Sequence, residues 1–251
     1  MNLTNEESIK LTQEIKSKLF DSNASKQNSV NVNETEICLC PSFTALSEVS
    51  KLIAGSNIKL GAQNCFSEAK GAFTGEISLS MLKEINCKYI IIGHSERRNL
   101  FSETNSLINK KLKAVLASNL QPILCVGESA EARNSGVELN VIEKQLTECF
   151  LGINPADFQK IIIAYEPIWA VNSGKPASPE QANEMHKFIK NFIAKNISKI
   201  AAEHTQIIYG GSVNSTNISD FLAKENISGC LIGNASLKAD EFVKMCKTEI
   251  K

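Results

Sequence analysis

Apolar positions along this chain fall into two rhythms. Seven short, nearly continuous runs recur: EICLC (36–40), IKLGAQ (58–63), YIIIG (89–93), PILCVG (122–127), IIIAYE (161–166), QIIYGG (206–211) and GCLIG (229–233). Continuous rather than alternating runs are the pattern of parallel strands covered on both faces. The stretches between them follow a helical period. Near the start, Thr4 and Glu7 have the spacing of a capping box, and Leu11, Ile15 and Leu19 then fall on one face. In SPEQANEMHKFIKNFIA, Ser178 can cap, Pro179 suits the first helical position and Gln181 completes a second capping box. Phe188, Ile189, Phe192 and Ile193 mark the apolar stripe of that helix.

Strand followed by helix, repeated to the end, implies an α/β fold with a parallel sheet and helices outside it. No Pro- or Gly-rich linker or change of composition divides the chain, so residues 1–251 read as a single domain. A leading helix with no strand before it makes the repeat α(βα)7. A closed (β/α)8 TIM barrel of about 250 residues needs one more strand, and the count places that first strand upstream of Met1. An open doubly wound sheet would accommodate seven strands, but it usually carries GxGxxG after an early strand, and the sequence has none. The Ser/Asn-rich stretch DSNASKQNSVNVNET (21–35) reads as a surface loop.

Composition narrows the partners. At 43% hydrophobic, 251 residues can bury a substantial core. Lys plus Arg equals Asp plus Glu at 27 each, so no net field favours nucleic acid or an anionic membrane surface. The eight cysteines are scattered without CxxC or His-rich ligand spacing. Cys38, Cys40, Cys125 and Cys230 sit in apolar runs, where a reduced thiol behaves as a small core residue. That usage implies a reducing, cytoplasmic setting. The first twenty residues are too polar for a signal peptide, and no segment approaches the roughly 20 apolar residues of a membrane span.

In a parallel barrel, chemistry collects at the C-terminal ends of the strands. YIIIGHSERR puts His94 just past a strand and at the start of a helix, whose N-terminus would keep the ring neutral and donating. A strand-end histidine satisfied by backbone is the competing reading, set against the polar set Ser95, Glu96, Arg97 and Arg98 beside it. IIIAYEPIWA puts Glu166 at another strand tip, between Tyr165 and Pro167, apolar surroundings that suit a general base rather than a solvated carboxylate. YGGSVNSTN (209–217) and IGNASLK (232–238) are loops rich in small residues, whose successive amides can make anion nests. The loops after strands seven and eight are a common phosphate site in such barrels. Residues 170–178 have the size and the small residues of a lid over substrate, or of an ordinary connection.

With base, donor, phosphate nests and lid on one face, the sequence resembles the triosephosphate isomerases over essentially its whole length. The motifs that carry the resemblance are GAQNCF with GAFTGEIS (61–78), IIGHSERR (91–98), PILCVGE (122–128), AYEPIWA (164–170) and YGGSVN (209–214). The resemblance implies interconversion of dihydroxyacetone phosphate and glyceraldehyde 3-phosphate through an enediolate, with no metal or organic cofactor. It implies that Glu166 moves the proton and His94 polarises the carbonyl, and that Ser212 with the amides of Gly233 and Asn234 holds phosphate. The Asn172 amide would join them when the lid closes. GAFTGE is similar to the family's interdigitating dimer loop, with Thr74 reaching toward the neighbouring subunit, so a homodimer is implied.

The sequence departs from the family at three places. The lid usually reads W-x-x-G-T-G-K but here runs from Trp169 through Asn172, Ser173 and Gly174 to Lys175. Asn tolerates a left-handed backbone better than other non-Gly residues. The last nest usually has two glycines and here has Gly233 and Asn234. Family members begin with a strand ending Asn-Trp-Lys-Met-Asn, of which only Met1 and Asn2 match. Glu96 resembles the catalytic carboxylate that pairs with that Lys. Three readings stand at this point: an isomerase whose strand and Lys lie upstream of Met1, a truncated barrel acting only as a binding or structural partner, and a different phosphosugar barrel enzyme.

Overall fold

The structure is a computed structural model describing residues 1–20, 35–170 and 176–248. The expected loop 21–35 and the central part of the expected lid, 171–175, fall outside the described residues, apart from Thr35. Six strands form one parallel sheet: β1 (Cys38–Leu39), β2 (Lys59–Ala62), β3 (Cys87–Ile92), β4 (Gln121–Val126), β5 (Ile162–Tyr165) and β6 (Gln206–Tyr209). Sheet order equals sequence order, β1-β2-β3-β4-β5-β6, and every pair is parallel. The curled sheet is wrapped by helices α1 (Asn5–Phe20), α2 (Leu46–Ile53), α3 (Leu79–Glu84), α4 (Ser95–Leu100), α5 (Asn105–Ala117), α6 (Ala130–Asn134), α7 (Glu138–Cys149), α8 (Pro179–Asn196), α9 (Lys199–His204), α10 (Ile218–Leu222) and α11 (Ala239–Cys246).

Two of the seven expected runs shrink furthest as strands among the described residues. GCLIG joins the sheet through one parallel bridge, Cys230 to Tyr209, with Tyr209 N–H donating to Gly229 O (2.9 Å) and Leu231 N–H to Tyr209 O (2.8 Å). EICLC contributes only Cys38 and Leu39, paired to Lys59 and Leu60. Each run has a strand partner on one side only among the described residues, and a one-sided ladder is where strand geometry gives out first.

Helix ends follow their side chains. Thr4 N–H donates to Glu7 Oε2 (2.6 Å) and Glu7 N–H to Thr4 Oγ1 (3.3 Å), a reciprocal capping box. Ile15 and Leu19 are buried and Leu11 packs beside them, and α1 lies against α2 and α11. The Ser178–Gln181 box starts α8 with Pro179 at its first position. The main core fills the space between sheet and helices, whereas Tyr89, Ile91, Ile123, Cys125 and Ala164 form a separate cluster lining the inside of the sheet.

Candidate active site

The β3 run Tyr89–Ile92 is nearly all buried, and the chain turns at Gly93 (φ +70°) before α4 begins. His94 caps that helix, its Nδ1 accepting from Glu96 N–H at 3.3 Å. An accepting Nδ1 leaves the proton on Nε2, the nitrogen that faces Glu166. Arg98 fastens the turn, donating from Nε to Gly93 O (2.6 Å) and from Nη2 to Cys125 O (3.0 Å) at the end of β4.

Glu166 follows β5 directly, its N–H continuing the ladder to Val126 O at 2.8 Å. Its carboxylate is only 2% exposed, with Oε1 2.9 Å from His94 Nε2 and Oε2 accepting from Ser95 N–H at 3.0 Å. The first amide of α4 thus holds one oxygen and the histidine the other. Two glycines make room for it. A Cβ on Gly127 would lie 1.8 Å from Glu166 O, and one on Gly210 would lie 2.8 Å from Glu166 Cγ.

The helix N-terminus does not set the His94 pKa, contrary to the expectation above. Burial works to lower that pKa, but the hydrogen bond and the charge of Glu166 outweigh burial and raise it. A carboxylate within hydrogen-bond reach acts more strongly than a helix end, and the sequence motifs put both residues on one face without showing that they touch.

Glu128 is fully buried after β4, and its Oε1 accepts from Tyr165 Oη (3.0 Å), Trp169 Nε1 (2.7 Å) and Arg133 Nη1 (3.1 Å). Its backbone oxygen accepts from Ile168 N–H at 3.1 Å. Burial first, then the charge of Glu128, pushes the Tyr165 hydroxyl well above its ordinary value. Glu128 therefore fixes the short turn Ile168–Ala170 that leads out of the site. Its only sequence signal is a carboxylate just past a strand, at the end of PILCVGE.

Ser212 is half-buried and its hydroxyl donates to Ala170 O at 2.9 Å, tying the first small-residue loop to that same turn. Gly233 and Asn234 are both exposed, with Gly233 immediately before the 3-10 turn Asn234–Leu237. Asn172 lies outside the described residues. Glu96 is largely exposed, its Oε2 3.8 Å from His94 Nδ1, on the far side of the ring from the nitrogen that meets Glu166. Thr74 is exposed in the loop after Phe66, where Phe73 packs on the Phe66 ring at 4.6 Å.

A sequence model of the triosephosphate isomerase family matches residues 1–249. The chain is 46% identical over 245 residues to the triosephosphate isomerase of Caldanaerobacter subterraneus subsp. tengcongensis, covering 98% of this chain and 94% of that one. It is 50% identical over 216 residues to that of Endomicrobium trichonymphae, 86% of each chain, and 49% identical over 210 residues to that of Aquifex aeolicus, 84% of each. With its parallel sheet, its strand-end carboxylate and its strand-end histidine, this chain belongs to the triosephosphate isomerase family.

Proposed function

We propose that this protein interconverts dihydroxyacetone phosphate and glyceraldehyde 3-phosphate, with Glu166 as the base and His94 as the donor to the carbonyl. The observation that carries the assignment is the buried Glu166 carboxylate 2.9 Å from His94 Nε2. A proton on the carbon next to a carbonyl becomes removable when a donor stabilises the oxygen as charge builds on it. Glu166 takes that proton, His94 Nε2–H steadies the enediolate oxygen, the hydroxyl proton crosses from the first oxygen to the second by way of His94, and the protonated Glu166 returns its proton to the neighbouring carbon. Without substrate the two groups satisfy each other, so binding must insert the substrate oxygen between them. Ser212 and the amides of Gly233 and Asn234 supply the phosphate end, with Asn172 from the lid, and Glu96 stands beside His94 as the partner of a cation.

Glu166→Gln tests this reading. Turnover is expected to fall by the roughly 10²–10⁴-fold that a positioned general base contributes, with the circular dichroism spectrum unchanged. Undiminished turnover would overturn it.

We further read residues 1–251 as one domain and the curled sheet as a (β/α)8 barrel whose described strands leave a place between β1 and the 229–233 run. The Lys of the family's first strand belongs at that place. A homodimer through the Thr74 loop fits the exposed Phe43, Phe73, Leu100 and Phe101, since exposed apolar side chains that gather into a patch mark protein contacts. Thr74→Arg should then shift the sedimentation coefficient toward that of a monomer. A cytoplasmic setting fits eight free cysteines. No helix among the described residues is long and apolar enough to cross a membrane.

A further inference from the structure

β3 and β4 pair in register as far as Ile92 and Leu124, and the ladder then stops although β4 runs on to Val126. Continued by one step, the register would set Gly93 against Cys125. At that level a side chain takes the place of the backbone rung. Arg98 Nε donates to Gly93 O at 2.6 Å and Nη2 to Cys125 O at 3.0 Å, so one guanidinium joins the ends of both strands. Nε–H and one Nη2–H lie parallel along one edge of the planar group, which matches acceptors set side by side. Gly93 leaves the space: a Cβ there would stand 3.0 Å from Arg98 Nη2 and 3.2 Å from Cys125 O.

Both strand ends lead to the site. Gly93 O belongs to the peptide plane that ends in the His94 nitrogen, and a planar peptide held by its oxygen fixes the direction in which His94 leaves the turn. Cys125 pairs with Ala164 and Val126 with Tyr165, and Glu166 N–H continues that ladder to Val126 O. The spacing between the turn that carries His94 and the strand that carries Glu166 therefore runs through Arg98. The guanidinium is itself oriented from behind: Nη1 donates to Asn105 Oδ1 at the start of α5, and Asn105 Nδ2 donates to Glu148 Oε2 on α7 at 2.8 Å.

We infer that Arg98 is a positioning residue for the reaction, setting the His94 Nε2–Glu166 contact of 2.9 Å by bridging Gly93 O and Cys125 O. This role rests on those of Glu166 as base and His94 as donor. Lysine cannot fill it, because an ammonium is a point donor on a flexible stem and has no fixed edge to span both carbonyls.

Arg98→Lys, which keeps the charge, tests the role. The expected fall in kcat is about 10²-fold, the cost of a misplacement near 1 Å, with KM unchanged because the phosphate loops are untouched. A second readout needs no turnover. The chain has three histidines, and histidine-selective nitrogen NMR should show the His94 Nε2 resonance displaced in the folded variant, with those of His186 and His204 in place. Asn105→Ala keeps both carbonyl contacts but frees Nη1, so it should move kcat and the resonance the same way by less, and it decides the outcome if Arg98→Lys fails to fold. Unchanged kcat, or an unmoved Nε2 resonance, in the folded variant would overturn the inference. Undiminished turnover in Glu166→Gln would instead remove the base and donor roles, and the resonance would still report whether Arg98 places His94.

Discussion

Glu166 accepts from Ser95 N–H with one carboxylate oxygen and meets His94 with the other. Its aim depends on an absent atom, the Cβ that Gly210 lacks, which would sit 2.8 Å from Glu166 Cγ. Gly210→Ala should therefore turn the carboxylate without touching substrate. The expected loss in kcat is about 10²-fold, the cost of a misplacement near 1 Å, with melting temperature changed far less. A drop in stability matched by unchanged kcat would show that the contact is relieved elsewhere. His94 adds a pH signature, because its pKa is raised above the ordinary 6.5 by Glu166 against the opposing effect of burial. Protonated His94 locks the carboxylate in an ion pair, so kcat/KM, which reports the free enzyme, should begin to fall with decreasing pH above 6.5. An acid limb lying wholly below that value would contradict the contact. Both groups were legible in sequence as polar residues at strand ends. Their meeting was not, because it depends on how β3 and β5 sit around β4. Glu128 escaped a role for the same reason: its three donors come from residues 133, 165 and 169, and only the fold brings them together.

At the scale of elements, short local patterns carried most of the information. Both capping boxes form, since each needs only four consecutive residues to satisfy one another. Ser178→Ala should cost the roughly 0.5–2 kcal/mol of a lost cap, read from urea denaturation. Because α8 follows the 171–178 segment directly, the substitution is also expected to raise KM for the phosphorylated substrate; a stability loss with KM unchanged would separate helix from site. Long-range polar burial was not legible. Lys111 on α5 is 2% exposed and donates to Glu103 (2.5 Å) and Asn64 (2.8 Å). Arg97 Nε donates to the same Glu103 oxygen at 2.6 Å. Glu103→Ala strands the Lys111 charge in the interior, for which about 3–5 kcal/mol is typical. The Glu103→Ala/Lys111→Met pair should recover much of that loss in a double-mutant cycle.

For the molecule as a whole, acid stability is set by buried groups in successive pH windows. His186 is fully buried, with its Nδ1 3.0 Å from Asn226 O and no partner for Nε2 among the described residues, and burial lowers its pKa to about 4. Between the ordinary 6.5 and about 4 the unfolded chain binds a proton that the native one refuses, so stability falls with decreasing pH by up to about 3 kcal/mol. Burial works to raise the Glu103 pKa, but hydrogen bonds from Lys111 and Arg97 outweigh it and lower it from the ordinary 4.5. Its stabilising share is complete above 4.5 and is lost as pH falls through the lowered value. His186→Gln should flatten the dependence of urea stability on pH between 6.5 and 4 and leave the lower window unchanged; an identical slope in the variant would refute the assignment. The parallel fold was legible because every strand-like run is continuous rather than alternating and is followed by a stretch of helical period. The lengths of β1 and the 229–233 run were not, since an edge is defined by what lies beside it rather than by its own residues.

The sheet runs in strict sequence order. Every hydrogen-bonded neighbour is then the next strand along, and no strand waits for a distant part of the chain before it can pair. Such a sheet can assemble strand by strand, each new strand pairing with the one before it. Amide exchange should record ladder length as a gradient, slowest at Ile91 and Leu124 in the six-residue strands β3 and β4 and fastest at Leu39 in the two-residue β1, with the short ladder opening many times for each complete unfolding.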